Sequence, residues 1–271
     1  MALLRVSLLK LVKRPATWVV LAILLALIAM VFIGLAASAG QLTDATDQMQ
    51  VMLLLSFPNA YTVLVGFILS FGGLLAVTYG AAVIGADWAW GTIRSIVARG
   101  ENRVRYTVIT FIAIAVVLAF GVLIAFGIGA VLAVVAAGIA ETGTDGATDP
   151  DTLRALPELL ARTWLGVSQQ AAIGFAIAML FRSQLAGIGA GLAFYFAEIF
   201  LVMVPLAREV LPYFPFNVAN AVVSTADGFG DGGFGSTVAI SSDTAIVWSV
   251  GYLAIAVAIA SLAAWRAQIT Q

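Results

Sequence analysis

The 271 residues include no cysteine, no histidine and only two lysines, Lys10 and Lys13. Without cysteine there is no disulfide and no thiolate nucleophile. Without histidine there is no imidazole proton relay, and without either residue no zinc site of the usual donor type. Both lysines precede the first long apolar stretch, so no Gly-x-x-x-x-Gly-Lys-Ser/Thr loop can cradle a nucleotide phosphate. Charge is scarce as well, at 10% of residues. No basic run with interleaved aromatics marks a nucleic-acid surface. An enzyme is the least supported class, because no nucleophile–base pair or metal set converges in the chain.

What fills the chain instead is apolar sequence, 62% of it. Six stretches stand out: Ala16–Ala39, Tyr61–Ala86, Tyr106–Ala140, Thr163–Phe181, Leu185–Pro205 and Thr244–Trp265. Each reaches the ~20 residues that cross ~30 Å of hydrocarbon as a helix. The expected fold is all-α and polytopic, with six transmembrane helices in one membrane domain over residues 1–271 and no internal repeat. Ala37-Ser38-Ala39 resembles a signal-peptidase site, but the apolar stretch before it is too long for a signal peptide, so an uncleaved first span is expected.

The charges fix an expected orientation. Threading six spans places Arg5, Lys10, Lys13, Arg14, Arg94, Arg99, Arg103, Arg105, Arg182 and Arg266 on one side, 10 of the 13 basic residues. The opposite side holds 11 of the 14 acids, among them Asp44, Asp47, Glu141 and Glu158. Lysine and arginine are retained in the cytoplasm, so both termini are expected inside. The net charge of −1 hides this asymmetry by averaging it.

Two cytoplasmic pieces carry pattern. Leu4, Leu8 and Leu11 recur at helical spacing, with Arg5, Lys10, Lys13 and Arg14 mostly on the other arc. This suits a short interfacial helix turned by Pro15 into the first span, or equally a basic flank that only sets topology. Between spans two and three, Trp90, Ile93, Ile96 and Val97 share one helical face while Arg94 and Arg99 project elsewhere. Gly100 is placed to end that helix in a left-handed cap. Such a helix can dock on a partner; a loop whose tryptophans anchor among headgroups is the plainer alternative.

Asp87, then Gly91-Thr92, then Arg94, then Arg103 at the start of span three resembles the first cytoplasmic loop of ABC-2-type transporter permeases. There the acid is commonly glutamate, and a lysine falls near the position of Thr110, so this chain departs at that point. The resemblance implies the membrane subunit of an ABC exporter, itself not an enzyme, working by alternating access. Two permeases, identical or related, would pair with two ATP-binding subunits that hold ATP and magnesium, leaving no cofactor in this chain. Asp87, Trp90, Gly91, Thr92, Arg94, Arg99 and Arg103 would form the ATPase-coupling surface. Residues 206–243 would dip back into the outer leaflet before span six. The expected setting is the cytoplasmic membrane with its lipid, and the expected cargo an amphipathic small molecule, peptide or lipid-like compound.

Inside the membrane Glu198 is the one acid well within a span. Helical rise places it about 10 Å from the outer end of span five, level with Gln169 and Gln170 of span four. With Tyr195 these residues compose an expected polar layer, either a contact for a polar group on cargo or ordinary interhelical hydrogen bonding. A secondary transporter or channel would use Glu198 as a proton or cation site; a membrane anchor or assembly factor would not need it. Gly187-x-x-x-Gly191 reads as helix packing. Gly228-Phe229-Gly230-Asp231 matches an intramembrane protease motif only superficially. Asp227, Asp231 and Asp243, like Asp145, Asp149 and Asp151, read as flexible acidic loops rather than calcium ligands.

Overall fold

Six helices in the computed structural model are long and apolar enough to cross a membrane. The structure describes residues 2–39, 41–42, 44–201, 203–207, 209–223 and 240–267, and no strand occurs among them. Helix α1 (Ala2–Lys13) precedes the first span, α2 (Pro15–Ala39), and a short α3 (Ala45–Leu55) follows it. The second span is α4 (Asn59–Phe67), a π turn at Ile68–Gly72 and α5 (Gly73–Ala89) run together. Then come α6 (Thr92–Ala98), α7 (Arg103–Ile139), α8 (Pro150–Phe181), α9 (Gln184–Leu201), the short α10 (Pro215–Ala221) and α11 (Ser242–Arg266).

The second span and α8 are the centre of the bundle. In their most apolar stretches 78% and 72% of residues are buried, against 22% in each of α2, α9 and α11. Glycine sets this arrangement. A Cβ on Gly80 would lie 2.3 Å from the Ala171 carbonyl, and one on Gly174 only 2.0 Å from the Val77 carbonyl. The backbones of α5 and α8 therefore touch, which suits a medium where close packing rather than water drives helix association. Gly187 and Gly191 bring α9 to the same spine, the former against Ala178 and the latter against Val77. Their spacing serves packing, as expected.

Side-chain contacts gather one set of helix ends. Arg14 at the start of α2 reaches Asp87 at the end of α5, and Arg103 at the start of α7 donates to the Ala267 carbonyl just past α11. The Arg182 guanidinium, at the end of α8, lies 5.4 Å from the centre of the Trp88 ring. This is the end that collects the basic residues.

Three elements differ from the sequence expectation. Helix α8 begins at Pro150, not Thr163. Its first turns are amphipathic: Leu159 is buried while Arg154 pairs with Asp151 on the outer face, and Arg162, pairing with Glu158, reaches inward to Ser242. Half a polar surface lowers mean hydropathy, so an apolar window misses this extension. Helix α3 occupies what reads as loop; Asp44 caps it by accepting from the Thr46 amide at 2.8 Å. Helix α9 stops at Leu201 rather than continuing to Pro205, and the chain turns back through two 3₁₀ turns into α10.

Helix α10 is buried against α8 and α11, with Phe216, Val218, Ala219 and Ala221 all inside. Within the 206–243 stretch, residues 209–223 thus pack a short helix against the bundle. Gly228-Phe229-Gly230-Asp231 and Asp227 lie outside the described residues.

Candidate functional site

At the basic end, the last turn of α5 carries Asp87 into the protein instead of leaving it on the loop. Its side chain is fully buried. One carboxylate oxygen accepts from Lys10 Nζ and from Arg14 Nη2, the latter at 3.0 Å. The other accepts from the Tyr106 hydroxyl at 2.7 Å. Lys10 also reaches that hydroxyl at 3.2 Å, and Arg14 reaches the Val83 carbonyl at 3.4 Å. One carboxylate thus pins α1, the start of α2 and the start of α7 to the end of α5. Burial lowers the proton affinity of Lys10 below that of a free lysine, an effect that outweighs the opposing attraction of Asp87.

Beyond Asp87 the chain leaves the bundle. Gly91 turns it at a φ of 67° and Gly100 ends α6 at 82°, conformations that glycine adopts without a Cβ penalty. The Glu101 amide donates to the Ile96 carbonyl at 3.3 Å, closing the predicted left-handed cap. Asn102 then caps α7, its side chain accepting from the amides of Val104 and Arg105. Helix α6 buries Ile93 and packs Ile96 against the core, so part of its apolar face is already used within the chain. Arg94 and Arg99 are exposed and form no ion pair among the described residues.

One loop residue does not sit where the helical face implied. Trp90 is 70% exposed instead of joining Ile93, and the Arg14 guanidinium lies 5.1 Å from its ring centre. Trp90 caps α5 rather than belonging to α6, so the periodicity is broken at Gly91. Arg103 is drawn to the Ala267 carbonyl and ties two helix ends together. The leucines of α1 also turn inward: Leu11 is buried and Leu4 and Leu8 pack on the core, leaving Val6, Leu9 and Val12 outside. Lys10, Arg14 and Tyr106 were not singled out as a unit by the sequence. Lys10 and Arg14 stand one helical turn apart, the one local sign that both could serve a single acceptor.

The four polar residues of the bundle do lie close together, and each meets irregular backbone. Gln170 Nε2 donates to the Leu69 carbonyl at 3.2 Å, and the Tyr195 hydroxyl donates to the Ser70 carbonyl at 2.8 Å. Both carbonyls belong to the π turn. Gln169 Nε2 donates to the Pro215 carbonyl at 2.6 Å while its Oε1 accepts from Ser249 at 2.7 Å. Glu198 accepts from the amides of Phe216 and Asn217, at 3.1 and 2.6 Å, and from Asn217 Nδ2 at 2.9 Å.

The layer therefore satisfies backbone groups where helices start, end or bulge. Both Glu198 oxygens are engaged at the first turn of α10, where a negative charge is favoured. Within this layer, Gln170 Oε1 lacks a partner among the described residues. It lies where a side chain on Gly73 would be, 1.8 Å from the Cβ position. On the acidic side, Asp149 caps α8 and Asp151 pairs with Arg154, so neither stands free.

No curated protein matches this chain. Residues 59–268, over three quarters of the sequence, match a family described as a protein of unknown function, DUF2705. That span runs from the first residue of α4 past the end of α11, and so contains five of the six long helices, the α6 loop and the polar layer. A multi-pass helical bundle centred on α5 and α8, the chain belongs to the DUF2705 family.

Proposed function

We propose that this chain is the permease subunit of an ATP-binding cassette exporter, of the ABC-2 type, with both termini in the cytoplasm. The observation that carries this assignment is the α6 loop. It stands at the basic end, bounded by two positive-φ glycines, and presents Arg94 and Arg99 outward. Its inner edge is anchored to α1 and α7 through Asp87. A push on α6 would reach three helices at once through that carboxylate.

Energy has to come from elsewhere, since the chain lacks a nucleotide-binding loop. Two separate ATPase subunits would supply it. Two permease chains, identical or related, would enclose the cargo path, and an amphipathic small molecule, peptide or lipid-like compound would leave by alternating access. The coupling surface is Trp90, Gly91, Thr92, Arg94 and Arg99. Asp87 and Arg103 act behind it as positioning residues.

A proton- or cation-driven mechanism through Glu198 receives less support. That carboxylate is 3% exposed and both its oxygens are committed to α10.

The test is co-purification with ATP-binding subunits from the same source, followed by an ATPase assay. The double variant Gly91→Trp, Arg94→Glu should abolish assembly or coupled ATP hydrolysis while the permease itself still folds. A chain that captures no ATPase subunit, yet carries protons or ions into liposomes, would overturn the proposal.

A further inference from the structure

A cleft of about 310 Å³ opens on the side of the bundle between α2, α5 and α7, within the size range of small-molecule pockets. Thr17, Trp18, Leu24, Gly72, Tyr79 and Gly121 are among its lining residues. The wall offers almost nothing polar. Its two hydroxyls are paired with each other, Tyr79 OH donating to Thr17 Oγ1 at 2.9 Å, and Thr17 in turn donates to the Leu11 carbonyl at 2.7 Å. An occupant must therefore be apolar where it enters the cleft.

Along α2 the cleft lies in the half of the bundle nearest the basic end, and along α5 and α7 it runs on to Ile68 and Ile124. Arg14 is level with Asp87, at the basic end. From Arg14 to Leu24 is ten residues, about 15 Å of helix and half of the ~30 Å hydrocarbon. Trp18 stands near the mouth, its indole N–H held by the Val12 carbonyl at 2.8 Å, as an aromatic at a membrane interface should be.

The charge around the mouth has one sign. Val12 is shared with a shallower groove along α1 that includes Arg5, Leu8 and Leu9. Arg5 and Lys13 are exposed and unpaired among the described residues, whereas Lys10 and Arg14 are committed to Asp87. An apolar slot that opens near the basic end, with free cations at its rim, fits a phospholipid that has an acidic headgroup.

We propose that the cleft between α2, α5 and α7 binds one anionic phospholipid from the leaflet on the basic side. One acyl chain occupies the slot beside Leu24 and Gly121, and the phosphate is held by Arg5 and Lys13. This site is independent of whether the protein is an exporter. Its occupant is a resident lipid, which would tether α1 to the bilayer beside the Asp87 cluster.

The test is native mass spectrometry of the full-length protein, delipidated in mild detergent and titrated with phosphatidylglycerol or phosphatidylcholine of the same acyl chains. Wild type should retain one phosphatidylglycerol under activation that strips other lipids. Gly121→Leu fills the slot, since a Cβ there meets nothing within 4 Å, and should lower retention of either lipid about tenfold. Val20→Phe, at another lining position, should do the same and guards against a folding defect in the first variant. Arg5→Glu with Lys13→Glu should instead erase the preference for phosphatidylglycerol while chain binding persists. Equal retention of the two lipids by wild type would overturn the proposal, as would unchanged retention in both filled variants. So would a lipid-free dimer in which a second copy covers the cleft.

Discussion

Asp87→Asn is the most incisive perturbation of this fold. Asparagine keeps the size of the side chain but removes the charge that Lys10, Arg14 and Tyr106 share. Breaking a fully buried ion pair from one side costs about 3–5 kcal/mol, whereas an exposed pair contributes about 0–1 kcal/mol. Here the acid is buried, but the cationic side chains are 28% and 14% exposed. Both can turn partly toward headgroups once released. An intermediate cost of about 2 kcal/mol follows, which for a chain of this size lowers the unfolding midpoint by about 4–8 °C. Thermal unfolding of the detergent-solubilised protein, followed by tryptophan fluorescence, reads this directly.

A second variant separates charge from packing. Lys10→Met with Asp87→Asn removes one of the two cations left unpaired, so the pair should cost less than the sum of the single changes by about 1 kcal/mol. Tyr106→Phe removes one neutral donor and should cost about 1 kcal/mol. An Asp87→Asn protein that melts within about 1 °C of wild type, or strictly additive changes in the double variant, would refute the view that this carboxylate holds the basic end together.

Gly174→Ala should destabilise by at least about 1–3 kcal/mol, because the new methyl collides with the Val77 backbone, while Gly34→Ala, where nothing lies within 4 Å, should be neutral or slightly stabilising. Equal melting of the two proteins would remove the glycine-packed spine from the account. Glu198→Gln should lower the midpoint, as one of the oxygens accepting from the first turn of α10 becomes a donor, at about 1–3 kcal/mol. Transport should respond to pH no more in wild type than in this variant; a pH dependence of wild type that Glu198→Gln abolishes at unchanged stability would make Glu198 a proton site instead. Since the chain has no native cysteine, Ser95→Cys and Thr152→Cys give a clean topology test. A membrane-impermeant maleimide added to intact cells should label only the second, and labelling of both would break the assigned orientation.

Much of the bundle was legible because membrane sequence speaks through two coarse signals, apolar length and the sign of flanking charge. Helices α2 and α7 match their apolar stretches within a few residues at each end. The amphipathic start of α8 and the short α3 were not legible, since their polar faces dilute hydropathy and only Asp149 and Asp44 announce them as caps. Gly100 could be read as a helix stop because left-handed geometry leaves a residue-type signature. The partners of Asp87 could not, because Lys10 and Tyr106 come from distant sequence and no local rule pairs them. The polar layer was legible as a set of residues but not as a function. Of the backbone groups it serves, the first turn of α10 is marked by Pro215, but the π turn leaves no residue signature of its own.

The contrast between the closely packed α5–α8 pair and its thinly covered neighbours has a mechanical consequence. Two helices whose backbones touch at Gly80 and Gly174 cannot slide or twist without main chain striking main chain, so they behave as an axle. Helices α2, α9 and α11 give most of their surface to whatever surrounds the bundle, and can tilt at smaller energetic expense. Any working stroke of this protein is therefore expected to swing the outer leaves about a stationary centre. Spin labels paired across α5 and α8 should report one narrow distance in every state, while pairs linking the centre to α2 or α9 change.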